Sequence, residues 1–101
     1  MDDFNIDSLD DVIHGRLRLG VMAFLSTAGS AEFTVLKARL QASDGNLSVQ
    51  LRKLEEAGYV VIDKAFVGKK PQTTVGLTPA GRAAYIGYLD AMKKLIGDAG
   101  L

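Results

Sequence analysis

At 101 residues, 48% of them apolar and none of them cysteine, the chain supports one hydrophobic core and excludes a disulfide framework, a thiolate nucleophile and a Cys-rich zinc site. Its single histidine, His14, excludes a His-cluster metal centre within one chain, so no metal or other cofactor is expected. Twelve Lys and Arg balance twelve Asp and Glu; no run approaches the roughly 18–20 apolar residues of a membrane span, and the acidic opening MDDFNIDSLDD is the reverse of a secretory leader, so a soluble cytoplasmic protein is expected.

In chain order, Asp7 or Ser8 is placed to cap a short helical piece, DSLDDVIH, whose carboxylates suit a helix N-terminus. From Arg16, Leu17, Val21, Phe24 and Leu25 recur at helical spacing up to Gly29, a C-cap residue, although Gly15 and Gly20 argue against one unbroken helix. Phe33 to Leu40 forms a second helix with Phe33, Leu36 and Leu40 on one face, followed by a turn over 42–45 in which Ser43 and Asp44 are candidate caps. A third helix, from about Asn46 to Ala57, turns Leu47, Leu51 and Leu54 inward and Asn46, Ser48, Gln50, Arg52, Lys53 and Glu56 outward.

Gly58 stops that helix, and the β-rich run from Tyr59 to Phe66 begins a hairpin. Val67 to Gln72 reads as its turn, with a basic tip, and Thr73 to Leu77 as the returning strand. Thr78 and Pro79 then open a last helix to about Ile96, in which Ala83, Ile86, Leu89, Met92, Lys93 and Ile96 leave an apolar stripe, with GDAGL as a frayed tail. The sum is an α+β chain, mainly α, whose helix-turn-helix is followed by a two-stranded hairpin and a C-terminal helix.

The chemistry concentrates on the third helix and the hairpin. A helix fits the major groove of duplex DNA, where short polar side chains near its N-terminus can discriminate bases. Asn46, Ser48 and Gln50 supply that chemistry, the amides by bidentate contact to adenine, and Val49 can meet a thymine methyl. Arg52 and Lys53 are better placed as phosphate clamps, which add affinity without naming a base. Lys69, Lys70 and Gln72, beside Gly68 and Pro71, suit a loop lying on the backbone or in a minor groove. Residues 1–15 hold five aspartates and no Lys or Arg, whereas residues 37–72 hold seven cations against four carboxylates. Attraction to DNA is therefore expected from one face only.

These segments together resemble the small winged-helix DNA-binding domain family of stand-alone bacterial and archaeal transcriptional regulators, related to the MarR and ArsR groups. The resemblance covers about residues 6–96, through IHGRLRLGVMAFL, FTVLKARL, SDGNLSVQLRKLEEAGYV and TTVGLTPAGRAAY, and the pairing of LRKLEEAGYV with a later LTPAGR is specific. It implies a winged helix-turn-helix over 1–101 as a single domain, with 6–78 the DNA-reading core, helix 46–57 in the major groove, wing 67–72 on the backbone or minor groove, and 79–96 a helix used for dimerisation. Gln50 stands where relatives often have histidine, the wing has two lysines and Gln72 where they often have arginines, and the cysteines of metal-sensing ArsR proteins are missing.

Regulators of this shape bind pseudo-palindromic sites as dimers. Phe4, Ile6 and Leu9 at one end, with Tyr85, Tyr88, Leu89, Met92, Leu95 and Ile96 at the other, are the candidate dimer interface, since they exceed what one helix needs for packing on a small core. A small-molecule effector is a further partner that this architecture admits, with no ligand named by the sequence; His14 reads as a helix-surface or interface residue. Catalysis is not expected. His14 has no cysteine partner, Asp10 and Asp11 read as helix-terminal charges, and neither GNLS nor VGKKP has the strand-to-helix context of a phosphate cradle. The rival reading is a winged helix that docks protein. Zero net charge favours that rival, but a docking face wants a large apolar anchor among positions 46, 48, 50 and 53, and Val49 is too small to supply one.

Overall fold

The computed structural model of the chain describes residues 5–98; Phe4, one of the expected interface residues, lies outside them. The first departure from expectation comes at once. No helix forms over 7–14: a 3-10 turn spans Ile6–Ser8, with the Asn5 side chain accepting the Asp7 N–H at 3.0 Å. The chain then bends around Asp10, whose Oδ1 accepts the N–H groups of Val12 at 2.8 Å and Ile13 at 3.2 Å. Aspartate competes with helix by offering its own oxygen to the next amides. The turn drives Ile13 fully into the core.

Helix α1, Arg16–Ala28, buries Leu17, Val21, Met22 and Leu25 and runs unbroken through Gly20. A Cβ at Gly20 would lie 2.6 Å from Leu40 Cδ2, so this glycine serves the approach of the next helix rather than a break. At the C-terminus Gly29 adopts φ 80°, and its N–H bonds the Leu25 carbonyl at 2.7 Å. Strand β1, Ser30–Glu32, has no sequence signature. It exists because it pairs with the hairpin, and it leads without a loop into α2, Phe33–Leu40.

Helix α3, Asp44–Glu56, starts two residues before the expected Asn46 because Ser43 Oγ accepts the Asn46 N–H at 3.1 Å. A surface ion pair, Lys37 Nζ to Asp44 Oδ1 at 2.8 Å, spans the turn between α2 and α3. Leu47, Leu51 and Leu54 are buried as the periodicity requires. Gly58, at φ 80°, releases the chain into β2, Val60–Val67, which pairs with β3, Lys70–Leu77. The sheet is antiparallel in the order β1-β3-β2.

The hairpin is tighter than expected. Pairing continues out to Val67 opposite Lys70, so the turn is Gly68–Lys69 alone and not 67–72. Gly68 takes φ 66°, which a two-residue turn with glycine in its first position requires. Such a turn closes on a hydrogen-bonded pair, which makes Phe66 opposite Pro71 the next, non-bonded pair. The proline therefore costs the ladder no hydrogen bond.

Helix α4, Pro79–Asp98, includes Gly97 and Asp98, which were expected in the tail. Thr78 caps it: Oγ1 accepts the Gly81 N–H at 2.9 Å and donates to the Gly58 carbonyl at 2.7 Å. Gly81 is buried against Tyr59, where a Cβ would lie 2.1 Å from the carbonyl oxygen. The specific pairing of GY at 58–59 with LTPAG at 77–81 thus has a physical basis, for the two segments touch backbone to backbone.

The apolar stripe expected along α4 lies mostly at the surface. Ile86, Leu89 and Ile96 are exposed, as are Ala83 and Lys93, whereas Tyr88 and Leu95 are buried and Ala84, Tyr85, Ala91 and Met92 pack against the core. The helix is apolar on two sides, and periodicity alone cannot choose between them.

Candidate nucleic-acid interface

Helix α3 presents one row of side chains away from its leucines. Asn46, Ser48, Val49, Arg52 and Lys53 are exposed, and Gln50 is half-buried. An open groove of about 620 Å³ runs between α3 and the hairpin. It takes Ser48 and Arg52 from α3 and Lys64 and Thr73 from paired positions on β2 and β3, with Asp44, Glu55, Phe33 and Ile62 completing the walls. Lys53 lies elsewhere, in a shallow hollow with Asp11, Val12, Arg18 and Glu56. The expected reading residues are thus divided between two sides of the helix.

On the side away from the wing, Gln50 is held inside the chain. Arg18 Nη1, from α1, donates to Gln50 Oε1, and Gln50 Nε2 donates to Asn46 Oδ1 at 3.1 Å. The bidentate adenine contact expected of Gln50 needs both ends of its amide, and both are engaged. Arg18 itself is anchored by Nε on the Val12 carbonyl at 2.6 Å. Sequence reading misses this arginine, which lies 32 positions from Gln50 in a helix whose signal is its apolar face.

At the wing, Lys69 and Lys70 occupy the exposed tip as expected. Gln72 does not join them: its Nε2 donates to a carboxylate oxygen of Glu32 on β1. A residue not anticipated at the site is Phe66, 73% exposed, the most exposed of the large apolar side chains among the described residues. Cross-strand partners share a face, and alternate pairs repeat it. Phe66 and Pro71 therefore continue the groove-lining pair Lys64 and Thr73 toward the tip, on the side that α3 occupies.

The interface residues expected at the termini also divide. Leu9 (8% exposed), Tyr88 (3%) and Leu95 (9%) close the chain's own core and are withdrawn as surface. Tyr85 and Met92 pack partly against that core, while Ile6, Leu89 and Ile96 remain exposed, together with Ile86. His14 is not on a helix. It precedes α1, and its Nδ1 meets Tyr88 Oη at 2.8 Å. Burial, and then the neighbouring Tyr85, push the Tyr88 phenol up from its ordinary range.

The Tyr59 phenol is pushed further, up to about 12, first by its hydrogen bond to Asp10 and then by burial and the charge of that carboxylate. Among the described residues no group of three or more His, Asp or Glu side chains converges as a metal ion would require. No described helix is long and apolar enough to cross a membrane.

A helix-turn-helix with a polar outer face, a hairpin wing beside it and a capped C-terminal helix defines a winged-helix DNA-binding domain. The model of the winged helix DNA-binding domain family matches residues 17–96, and the chain belongs to that family. Among solved structures, a transcriptional regulator homologue from Pyrococcus horikoshii OT3 is 30% identical and superposes with a TM-score of 0.83 over 89% of each chain. An uncharacterised protein of Methanocaldococcus jannaschii is 33% identical over 78 residues, 77% of this chain and 85% of that one. The crystal structure of overoxidised AbfR bound to DNA superposes with a TM-score of 0.67 over 74% of this chain and 54% of that one; at 21% identity this likeness shows the fold alone.

Proposed function

We propose that the protein is a sequence-specific regulator of transcription that binds duplex DNA as a homodimer, with α3 in the major groove and the wing on the backbone or in the minor groove. The observation that carries this reading is the shared side of α3 and the hairpin. Ser48 and Arg52 face Lys64 and Thr73 across one groove, whose hairpin wall continues to Phe66, Pro71 and the two tip lysines. Polar groups near the helix N-terminus would read base edges, and cations on the rim would contact phosphates. Phe66 would pack its ring on the sugar edges beside the lysines. The solved complex of AbfR with DNA, which shares the fold, supports the reading.

The dimer would form through the outer face of α4. Ile86, Leu89 and Ile96 lie exposed there, and Ile6 adds a fourth exposed apolar side chain. An effector small enough for the groove beside α3 would occupy the DNA face itself and act by competition. A second reading, a protein-docking wing, is favoured by the exposure of Val61, Phe66 and Val67 on β2.

Selection of genomic fragments with the purified protein, followed by titration of the enriched duplex at two salt concentrations, tests the proposal. A two-fold-related motif with salt-dependent affinity is expected. Random recovery by a folded dimer would transfer the assignment to docking.

A further inference from the structure

The apolar pair near the end of the wing is detached from the core. On the α3 side of the hairpin the cross-strand partners run outward as Ile62 with Val75, Lys64 with Thr73, and Phe66 with Pro71. Val75 is fully buried and Ile62 packs against the core, whereas Phe66 and Pro71 are both exposed. At a rise of about 3.3 Å per residue the outer pair stands about 13 Å beyond the inner one, with a polar pair between them. Phe66 therefore adds nothing to the core, and its ring in water is unfavourable for the chain that carries it.

The end that holds this pair is narrow and stiff. Strand β1 stops at Glu32 opposite Thr74, so two strands alone continue to the tip. The two-residue turn fixes their register, and the non-bonded pairing of Phe66 with Pro71 brings the Cα atoms to about 4.5 Å, the closer of the two antiparallel spacings. Proline, with its φ locked by the ring, holds that side of the pair rigid. From 64 to 73 the chain has three lysines and no Asp or Glu. An apolar plate among cations fits a partner that is apolar and anionic at once. The minor groove, sugar-walled between two rows of phosphates and roughly 6 Å wide, is such a surface.

We propose that Phe66, backed by Pro71, is a wedge that enters the minor groove and parts one base step beside the site read by α3. The inference rests on the DNA-binding reading above and carries the ring past the sugar edges to the bases. Parting a step sacrifices stacking, and the sacrifice is least at the flexible pyrimidine–purine steps, TA and CA/TG. The wing then selects the sequence it can deform, without a hydrogen bond to any base. Phe66 is thereby a specificity-determining residue for a position that α3 does not touch.

The test begins with the motif that the wild type enriches from genomic fragments. 2-Aminopurine, whose emission rises when it unstacks, replaces in turn each adenine flanking that motif, and every duplex is read at saturating wild type and saturating Phe66→Ala. Phe66 is exposed, so the alanine takes nothing from the core. The wild type should brighten the probe at a flanking pyrimidine–purine step, and Phe66→Ala at none. The variant should bind about tenfold more weakly with an unchanged salt slope, because it loses apolar contact and no charge. In a selection of its own, its preference at that step should relax to within a few-fold while the positions under α3 keep their ranking.

A wild type that binds its motif but brightens no flanking probe would confine the ring to the sugar edges and overturn the wedge. So would brightening that survives in Phe66→Ala. A variant that binds and selects as the wild type does would overturn it too, and would point to a protein partner for the exposed ring. If the wild type enriches no motif at all, the DNA reading fails and takes this inference with it.

Discussion

The Tyr59 hydroxyl donates to Asp10 Oδ2 at 2.5 Å, joining the exit of α3 to the turn that precedes α1. The other oxygen of the same carboxylate holds the Val12 and Ile13 amides, so one side chain organises three donors. A phenol held at about 12 in the folded protein, against 10.0 when free, favours the folded state while it stays protonated. Above pH 10 the unfolded chain loses this proton first, so that contribution is full below pH 10 and is lost as the pH rises through about 12. Tyrosinate absorbance should show one of the three tyrosines titrating near pH 12, and that step should vanish in Tyr59→Phe.

Replacing the carboxylate tests the same link from the other end. Asp10→Ala leaves the Tyr59 hydroxyl and two amides without their acceptor. Hydrogen bonds to a charged group are worth about 1.5–3 kcal/mol, so urea denaturation should show a loss of at least that order. A loss below about 0.5 kcal/mol, the scale of neutral surface substitutions, would show that the turn does not depend on Asp10.

Two glycines of α4 should respond in opposite directions. Gly81→Ala places a methyl against the Tyr59 carbonyl, which backbone cannot yield cheaply, and should cost about 1–3 kcal/mol. Gly87→Ala meets nothing within 4 Å and should stabilise the helix by up to about 1 kcal/mol. Thermal melts of the two variants would show the contrast directly.

The wing lysines should act on all DNA alike. Lys69→Ala with Lys70→Ala removes two exposed tip cations, which on the proposed reading would add phosphate affinity without touching bases. The slope of log affinity against log salt should fall by about 0.9 for each phosphate that the variant leaves unneutralised, with the ranking of duplexes preserved. Fluorescence anisotropy across a salt series reads both quantities; an altered ranking would mean that the tip reads sequence.

For the proposed dimer, the outer and inner faces of α4 should separate cleanly. Leu89→Glu places a charge on the exposed face and should shift sedimentation to the monomer with its helical circular dichroism retained. Leu95→Ala hollows the chain's own core and should cost about 2–5 kcal/mol. If the wild type sediments as a monomer, or Leu89→Glu leaves a dimer intact, the proposed interface on this face is wrong.

Much of the architecture is legible because its signals are local. Gly29 and Gly58 stop helices through left-handed backbone, Ser43 and Thr78 cap them through short hydroxyl side chains, and Leu47, Leu51 and Leu54 mark an inward face. The tight turn is not legible in this way: Pro71 reads as a strand breaker, and only the pairing register shows that it occupies a non-bonded position. Asp10 reads as a helix charge because its true partner, Tyr59, is 49 positions away.

By itself, then, the sequence determined where backbone conformation changes, since caps, glycines and apolar spacing act within a few residues of themselves. Only the tertiary structure decided which side of α4 turns inward, that Ser30–Glu32 becomes a strand, and that Arg18 takes hold of Gln50. Each of these depends on a partner brought close by folding, and the free energy of such an interaction exists only once the core has placed both sides of it.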